Sequence, residues 1–560
     1  MKFLKGRNTM SENLLKIIPL GGLGEVGKNM MVLEYDRQIL IVDAGLMFPE
    51  NDMLGIDLVI PDFGYLLDKI DWVRGIIITH GHEDHTGALP YVLQHIHAPI
   101  YTTKLTRGLI EVKLSQHHLL QDTNLNTIRP GDEITVGPFR VEFFHVCHSI
   151  PDGVGLAIQT PVGLVVHSGD FKLDHTPVDG KPPDFAKLAE LGGRGVLALL
   201  SDSTNVERPG TTPSERVIDT AFDQVFQAAR GRIIVATFAS LISRIQQVVN
   251  CAVRHERRVA IAGRTMVQNV RMARQLGYLE IPPNVLVSLE QMNRLPPEET
   301  VIIATGTQGE PSSALARMAT GRHRQLKIVR GDTVIISAHS IPGNEEMVNR
   351  TINRLIQRGA DVVYEKVAPV HVSGHASQEE QKLLLNLIRP QYFIPIHGEL
   401  RHLTLHARLA QELGIPADHT LVVENGYVLE FDGQTGRIGE RVPGGYVFVD
   451  GSGVGDVGPA VLRDREILAR DGFVIVVIRR DAQSGQVIGT PEIISRGFVF
   501  LRDAEDLLAQ AKERMVRTLA TKKRRTKTEA SGDVRAALEE FLYSETKRRP
   551  MIIPVLIEER

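Results

Sequence analysis

Three histidines and one aspartate crowd into a short segment of this 560-residue sequence. They are His80, His82, Asp84 and His85, and they follow GIIIT, an apolar run typical of a buried strand. Imidazole nitrogens and carboxylate oxygens are natural ligands for borderline divalent metals. A segment this short at a strand end cannot aim four side chains at one ion, but it can serve two adjacent ions. The array therefore predicts a two-metal hydrolytic centre.

Further candidate ligands stand at the ends of other predicted strands. His148 follows VEFFHVC, Asp170 closes LVVHSGD and His397 ends YFIPIHGEL. Together with the first segment they offer only nitrogen and oxygen donors. Such a site suits Zn²⁺ or Mn²⁺, and the residue types do not choose between these ions.

Several neighbours of these ligands are given other roles. Cys147 precedes His148, but side chains of consecutive strand residues point to opposite faces, so we expect no thiolate ligand. His145 and His167 are interpreted as packing residues or as supports for a ligand. Asp43, in the LIVDAG turn, is expected to orient a ligand loop.

A glycine motif near the start suggests a different chemistry, which its context does not support. Gly22, Gly24 and Gly27 match the dinucleotide-binding pattern GxGxxG, with Asp43 further along the chain. That pattern requires a helix to open at its third glycine. The residues that follow, KNMMVLEYDRQILIVD, form two strand-like runs instead. We therefore predict a tight strand–turn–strand and no dinucleotide site.

The elements around these motifs fall into three groups. Short Ile- and Val-rich runs closed by Gly or Asp fill the first stretch, where helical patterns are sparse and LPYVLQHI is one. From residue 214 strands and helices alternate, which indicates a separate α/β unit with a parallel sheet. The predicted domains are 1–213 with 365–450, an inserted unit 214–364, a Gly-rich linker 451–463 and a C-terminal α+β unit 464–560.

The composition narrows the class of protein. The length exceeds what one core supports, and no apolar run approaches the roughly 18 residues of a membrane span. The first residues lack the features of a secretory signal. The sequence has two cysteines, and neither belongs to a CxxC pair. This excludes a disulfide framework and favours a location in the reducing cytoplasm. Because the net charge is −3, metals and local patches must attract any polyanionic substrate.

Taken together and in order, the metal motifs resemble those of the metallo-β-lactamase superfamily, and the inserted unit resembles the β-CASP domain of its nucleases. The resemblance to bacterial ribonuclease J spans nearly the whole chain. It is carried by GGLGEVGKN, FPENDMLGIDLVIPD, THGHEDHTGALPY, HSIPD, LSDSTN, ATFAS, TGTQGEP, IPGNE, HVSGHAS, PIHGE, DGSGVGDVG and ISRGFVF. It implies an α/β fold: an αββα sandwich with an inserted β-CASP domain and a small α+β C-terminal domain.

The resemblance also implies how the ligands divide. One metal takes His80, His82 and His148, the other takes Asp84, His85 and His397, and Asp170 bridges the two ions. A hydroxide between the metals would be the nucleophile, because two cations lower the pKa of bound water toward neutrality. Asp84 is in this way both a ligand and a catalytic residue.

A second set of motifs is expected to handle the substrate. The family's histidine motif matches His371, Val372, Ser373, Gly374 and His375. Imidazole and hydroxyl groups donate to phosphate oxygens, and a glycine lets backbone N–H groups approach closely. His375 is predicted to stabilise charge on the scissile phosphate or to protonate the leaving group. By itself, HVSGHAS also fits a helix cap.

Other assignments from the motifs are less specific. Asp202, in LSDSTN, is expected to act in catalysis by orienting a metal-site group or accepting from a ligand histidine, although a helix cap has the same sequence. Ser240 in ATFAS and Arg264 in AGRT are candidate anion donors, or ordinary loop residues. The basic run 522–525 with Lys527 is a solvated helix end or an RNA contact.

Some ribonuclease J members also hold a structural calcium ion. The matching positions here are the backbone carbonyls of Leu54 and Ile56 and the carboxylate of Asp450. Oxygen ligands suit Ca²⁺. A turn with a capping aspartate is the alternative.

The resemblance implies 5′→3′ exonuclease and endonuclease activity on single-stranded RNA, a preference for 5′-monophosphate ends, and a role in rRNA processing and mRNA decay. It also implies a homodimer or dimer of dimers and partners in an RNA-degradation complex. The alternatives are a DNA-acting β-CASP nuclease, a small-ester hydrolase or a catalytically silent scaffold. The complete ligand set argues against the silent scaffold, and the large insert argues against the small-ester hydrolase. Only the resemblance to ribonuclease J argues against a DNA-acting nuclease.

Overall fold

A computed structural model describes residues 14–341, 343–484, 486–499, 505–520 and 526–559. The chain divides into two compact units. The first comprises the residues up to Phe48 together with Leu58–Val447, and the second comprises Pro49–Asp57 together with Phe448–Arg560. Within the described ranges, no helix has both the length and the apolar character to cross a membrane.

The strands of the first unit are β1 (Leu15–Gly21), β2 (Leu23–Gly24), β3 (Met30–Tyr35), β4 (Gln38–Val42), β5 (Leu58–Pro61), β6 (Val73–Ile77), β7 (Ile100–Thr103), β8 (Leu125–Ile128), β9 (Glu133–Val136), β10 (Phe139–His145), β11 (Val154–Gln159), β12 (Leu164–His167), β13 (Ala198–Asp202), β14 (Ile233–Ala236), β15 (Arg258–Ala262), β16 (Thr300–Ala304), β17 (Thr333–Ile336), β18 (Asp361–Val363), β19 (Tyr392–Ile396), β20 (Gly398–Glu399), β21 (Tyr427–Phe431) and β22 (Gly436–Arg441).

Its helices are α1 (Gly64–Leu67), α2 (Glu83–Thr86), α3 (Leu89–Val92), α4 (Lys104–Gln116), α5 (Phe185–Arg194), α6 (Val217–Ala228), α7 (Ile242–Arg254), α8 (Arg264–Leu276), α9 (Leu289–Met292), α10 (Ala314–Ala319), α11 (Glu345–Gln357), α12 (Gln378–Ile388) and α13 (Leu400–Glu412).

Two sheets face each other in the first unit. Their strand orders are β22-β21-β1-β3-β4-β6-β7-β8 and β19-β13-β12-β11-β10-β9. Alternate residues of both sheets meet in one buried cluster, in which Leu33 and Leu40 of one sheet join Val141, Leu156 and Ile394 of the other. Helix α4 packs on β7 and β8, and a further cluster joins α5 and α12 to the outer face of the second sheet. The predicted αββα sandwich is confirmed.

The inserted unit is built on a parallel sheet in the order β15-β16-β14-β17-β18. Helices α6, α7 and α8 cover one face, and α10 and α11 cover the other. A parallel sheet buried on both faces requires nearly continuous apolar strands. Strand β16, TVIIA, is buried throughout. The alternation predicted from residue 214 is therefore confirmed.

The second unit holds the last elements of the chain. They are β23 (Tyr446–Asp450), which begins in the first unit, then β24 (Gly453–Val454), α14 (Pro459–Asp471), β25 (Phe473–Asp481), β26 (Val487–Arg496), α15 (Glu505–Ala520), α16 (Lys527–Thr546) and β27 (Met551–Glu559). Strand β25 lies between β26 and β27. Val474, Val476 and Ile478 of β25 pack against Met515 and Leu538 of the two helices, and this forms a small α+β core.

The structure departs from the sequence predictions at several elements. The expectation of few helices in the first stretch was wrong at α4, where KLTRGLIEVKLSQ forms a helix that buries Leu105, Leu109 and Leu114. LPYVLQHI forms only the single turn α3. Helix α14 begins inside the predicted linker, and residues 522–525 of the basic run lie outside the described residues.

The glycine motif does form a turn between strands. Gly22, Gly24 and Gly27 all have positive φ, of 88°, 81° and 121°. No helix follows Gly27, and β3 begins at Met30. A Cβ atom at Gly22 would lie 2.1 Å from the side chain of Asn29, so the turn has no room for a larger residue.

Candidate metal centre

The predicted ligands come from strand ends of both sheets. His80 and His82 follow β6, and Asp84 and His85 lie in the single turn of α2 just beyond. The second sheet supplies the others, from residues just after β10, β12 and β19: His148, Asp170 and His397. The structure thus brings all seven predicted ligands to one edge of the sandwich.

The first cluster consists of His80, His82 and His148. The Nδ1 atom of His82 lies 3.1 Å from Nε2 of His80 and 3.1 Å from Nε2 of His148. Burial lowers the pKa of all three imidazoles, that of His82 to about 4. The rings are therefore neutral, which is the form that binds a metal.

The second cluster consists of Asp84, His85, Asp170 and His397. His397 Nε2 lies 3.2 Å from Asp84 Oδ2, and His85 Nε2 lies 3.2 Å from Asp170 Oδ2. The same oxygen of Asp170 lies 3.6 Å from Nε2 of His80 in the first cluster. Asp170 thus faces both clusters, which is the placement that a bridging carboxylate requires.

The charges of the second cluster fit a cation. Burial lowers the pKa of His85 and of His397, but nearby carboxylates outweigh burial and raise both values well above the ordinary one: Asp170 and Asp84 for His85, and Asp170, Asp202 and Asp84 for His397. The buried carboxylate of Asp170 thus demands nearby positive charge, and divalent ions would supply it. The donor set and its charge therefore fit two metal ions, and the individual ligand assignments stay predictions.

A second layer of hydrogen bonds orients the ligand histidines. Each of four rings uses its remaining nitrogen to contact an oxygen: His80 Nδ1 with Thr79 Oγ1 at 3.1 Å, His85 Nδ1 with Asp43 Oδ2 at 2.8 Å, His148 Nδ1 with Gly374 O at 2.7 Å and His397 Nδ1 with Thr204 Oγ1 at 2.6 Å. Such partners fix the tautomer and aim of a ligand ring. Asp43 contacts both the backbone N–H of Thr79 and the ring of His85, which supports its predicted role.

Thr204 is a functional residue that the sequence reasoning missed. Its hydroxyl bridges Asp202 Oδ1, at 2.7 Å, and His397 Nδ1. The sequence signal that could have found Thr204 was its position just after β13, two residues beyond Asp202. A threonine there equally fits an ordinary turn, so the pairing with His397 needed the fold.

Cys147, His145 and His167, which neighbour the predicted ligands, contact backbone groups. Cys147 Sγ contacts the carbonyl oxygen of Lys181 at 3.3 Å, away from the ligands, and His145 Nε2 contacts the same carbonyl at 3.1 Å. Burial raises the pKa of the Cys147 thiol to about 12, so it stays protonated. His167 Nδ1 accepts a hydrogen bond from Gly169 N–H at 3.0 Å and thereby supports the turn before Asp170.

His375 lies beside the metal clusters and is paired with Asp202. Its Nδ1 is 2.7 Å from Asp202 Oδ2 and 4.0 Å from Asp170 Oδ2. Burial lowers the pKa of His375, but the Asp202 carboxylate outweighs burial and raises it overall. The His375 side chain is 18% exposed and the Asp202 side chain is 1% exposed. The pairing occupies Nδ1, so Nε2 remains for a substrate.

The rest of the histidine motif is held from both sides. Asn205 Nδ2 donates to Ser373 Oγ and to the carbonyl of His375, at 2.8 and 2.9 Å. Val372 is buried in the core of the inserted unit, so only its backbone is available to a ligand. His371 stacks on His339, and its Nδ1 atom is buried without a hydrogen-bond partner among the described residues.

Ser240 and Arg264 lie at the carboxyl edge of the parallel sheet. Ser240 follows β14, and Arg264 opens α8 directly after β15. Asn269 of α8 donates to the carbonyl of Ala239 at 3.0 Å, which ties the two segments together. This edge is where open α/β sheets usually bind ligands. The metal clusters include neither residue.

The calcium positions do not fit a bound cation. Within the second unit, Arg465 Nη1 donates to the carbonyl of Leu54 at 3.0 Å, and Nη2 pairs with the carboxylate of Asp450. The N–H of Ile56 bonds to Met53 O at 3.2 Å. A guanidinium already supplies the positive charge at two of the three predicted ligands. We therefore propose no calcium ion here.

Comparison with protein families gives four matches. A metallo-β-lactamase superfamily model matches residues 23–199, and a ribonuclease J β-CASP domain model matches residues 230–355. A Zn-dependent metallo-hydrolase RNA specificity domain matches residues 359–420, and a ribonuclease J C-terminal domain matches residues 460–559. These ranges follow the order of the predicted domains, whose boundaries stay predictions.

Individual relatives align with nearly the whole chain. Ribonuclease J2 of Bacillus subtilis is 45% identical over 99% of this chain and all of its own length. Ribonuclease J 1 of Streptococcus pyogenes is 43% identical over 98% of each chain, and ribonuclease J of Synechocystis is 46% identical over 88% of this chain and 77% of its own. A solved structure of a protein of unknown function from Enterococcus faecalis shares the fold, with a TM-score of 0.53 at 15% identity, and covers 75% of this chain and all of its own.

The fold and the two ligand clusters define a metal-dependent hydrolase of the metallo-β-lactamase superfamily with an inserted β-CASP domain. The inserted domain and the histidine motif distinguish it from superfamily members that lack the insert. Because relatives more than 40% identical align along almost their full length, this chain belongs to the ribonuclease J family.

Proposed function

We propose that this enzyme cleaves single-stranded RNA as a 5′→3′ exonuclease and as an endonuclease, with a preference for 5′-monophosphate ends. The observation that carries the proposal is that Asp170 faces both ligand clusters while the His375–Asp202 pair lies at their side. A phosphodiester at this place would meet a metal centre and a hydrogen-bond donor together.

The chain's own residues divide the work as follows. His80, His82 and His148 would hold one ion, and the remaining cluster would hold the other. When bound, two divalent ions polarise a phosphate and activate water. Asp202 fixes the ring of His375, whose Nε2–H then donates to an oxygen of the scissile phosphate. Such a preoriented donor stabilises the charge that develops in the transition state.

The alternatives lead to a direct test. Purified protein should be incubated with end-labelled single-stranded RNA and with DNA of the same sequence, with Zn²⁺, with Mn²⁺ and with a chelator. Metal-dependent shortening of RNA from the 5′ end supports the proposal. Equal cleavage of DNA would favour a DNA-acting nuclease, and no cleavage of either would favour a scaffold.

A terminal-phosphate pocket would explain the preference for 5′-monophosphate RNA. Ser240 and Arg264 offer a hydroxyl and a guanidinium at the sheet edge, and neither side chain has a hydrogen-bond or ion-pair partner among the described residues. An arginine fork suits the geometry of a phosphate.

We expect 5′-monophosphorylated RNA to be digested about tenfold or more faster than 5′-hydroxyl RNA, since loss of a charged hydrogen bond costs about 1.5–3 kcal/mol. Arg264→Ala should shrink this preference and spare internal cleavage. Arg271→Ala, on an exposed face of the same helix, is the matched control. Equal rates for the two RNAs with the wild-type enzyme would contradict the pocket.

We also propose that the enzyme forms a homodimer through its C-terminal unit. Helices α15 and α16 pack on one face of the sheet β26-β25-β27. The other face exposes five apolar side chains: Ile488, Ile494, Ile553, Val555 and Ile557. Apolar patches of this kind mark interaction sites. Partners in an RNA-degradation complex and a cytoplasmic location stay predictions.

Ile553→Glu should convert the dimer into a monomer, because a buried charge at an interface centre costs about 2 kcal/mol or more. Multi-angle light scattering at several protein concentrations measures the change. Val329→Glu, which alters an exposed valine of the inserted unit, should leave the mass unchanged. A dimer that survives Ile553→Glu would place the interface elsewhere.

A further inference from the structure

A buried arginine lies beneath the start of the histidine motif. Arg244, on α7, is 0% exposed. Its Nη2 pairs with Glu215 Oε2 at 2.6 Å, while Nη1 donates to the carbonyl oxygen of Val370 at 3.0 Å and contacts Ser337 Oγ. Ser337 Oγ also donates to the Val370 carbonyl, at 2.6 Å. Two donors thus hold the residue that precedes His371.

Glu215 connects this arginine to the metal centre. Its other oxygen, Oε1, lies 3.4 Å from Nζ of Lys172. Lys172 is buried and follows the bridging candidate Asp170 by two residues. The neighbouring backbone is fixed too, since the N–H of Leu173 donates to Glu380 Oε1 at 2.7 Å. Two ion pairs and one hydrogen bond therefore connect Lys172 through Glu215 and Arg244 to Val370, the residue before the histidine motif.

The opposite end of the motif has its own anchors. The carbonyl of His375 accepts from Asn205 Nδ2 at 2.9 Å and from Thr212 Oγ1 at 2.7 Å. The segment 371–375 is thus fixed at both ends, by Arg244 and Ser337 before it and by Asn205 and Thr212 after it. A shift of Val370 would pass directly into the residues expected to contact phosphate.

Simple packing is a poor explanation for Arg244. A buried guanidinium loses its hydration, and apolar replacements of buried ion pairs are often as stable or more stable. Arg257 provides a comparison within the same unit. It is also buried, and it donates to the carbonyls of Gly231 and Ala229, but it contacts no part of the histidine motif.

We infer that Arg244, held by Glu215, is a positioning residue for the segment 371–375, and that it sets the distance between this segment and the Asp170 side of the metal centre. The inference rests on the proposed role of His375. Arg244 acts through the Val370 carbonyl and does not touch the substrate. Its planar fork is essential, because a lysine ammonium cannot hold Glu215 and Val370 in the same fixed geometry.

The test compares Arg244→Lys with Arg257→Lys. Arg244→Lys should lower kcat on saturating 5′-monophosphorylated RNA by roughly 10–10²-fold, since small misplacements away from the chemistry cost up to about 10² in rate. KM and the bound metal content should stay near the wild-type values. Arg257→Lys should keep kcat. Thermal unfolding measured on both variants separates positioning from stability.

Ser337→Ala keeps the test informative if Arg244→Lys does not fold. It removes the second donor to Val370 without removing a charge, and it should lower kcat by a smaller factor, about threefold to tenfold. Unchanged kcat in both Arg244→Lys and Ser337→Ala would overturn the inference, as would an equal loss in Arg257→Lys. His375→Ala, measured in parallel, is diagnostic: if it alone loses activity, the positioning role fails while the role of His375 stands.

Discussion

His375→Ala is expected to lower the single-turnover rate of RNA cleavage by about 10²–10³-fold while the bound metal stays near the wild-type content. The reason is that His375 pairs with Asp202 through Nδ1 and offers Nε2 to the substrate, whereas the seven predicted ligands form two clusters without it. Loss of one preoriented donor typically costs about 3–4 kcal/mol of transition-state stabilisation. Metal analysis and rapid-quench cleavage on the same preparation measure both quantities.

His397→Ala is the matched comparison, because its ring stacks on that of His375 with centroids 5.3 Å apart and yet belongs to the second ligand cluster. This variant should lose metal together with activity. His375 lies 4.0 Å from Asp170, so a ligand role for it is a real alternative. If His375→Ala also loses metal, the division between ligand and phosphate contact is wrong.

Asp170→Ala is expected to abolish cleavage while the fold remains. Its Oδ2 atom lies within 4 Å of His80, His85 and His397, so this one change removes the carboxylate that faces both clusters. His82→Ala should have the same effect by opening the first cluster. The measurement is the cleavage rate on labelled RNA, with circular dichroism to check the fold.

Asp179→Ala is the control for this experiment. Asp179 is an exposed carboxylate on the segment that follows Asp170, outside both clusters. The Asp179→Ala variant should cleave RNA at the wild-type rate. More than about a tenth of wild-type activity in Asp170→Ala or His82→Ala would contradict a mechanism that needs two metals.

The ligands could be predicted because each depends on local sequence. His80, His148 and Asp170 each come three residues after a strand whose apolar sequence predicts it without tertiary information, and a site at a common sheet edge follows from that placement. The strand–helix alternation of the inserted unit was equally local. Resemblance to a known family then supplied the pairing of ligands that spacing alone left open.

Other features could not be predicted, because they depend on contacts between distant segments. Arg244 sits on α7 among residues whose pattern resembles any amphipathic helix, and a charged side chain there would normally face solvent. Its partner Glu215 and the Val370 carbonyl become neighbours only in the folded chain. The guanidinium of Arg465 beside Leu54 and Asp450 was missed for the same reason.

The pairing of β13 with β19 has a consequence for the order of synthesis on the ribosome. These parallel strands join residues 198–202 to residues 392–396, and His397 follows the second of them. In a nascent chain the second cluster cannot form until the whole inserted unit and His397 have been translated, and Gly374, whose carbonyl holds the ring of His148, is also made late. Contacts between segments that lie this far apart in the sequence form slowly during folding. A polypeptide that ends before His397 thus lacks the second ligand cluster and cannot form the complete hydrolytic centre.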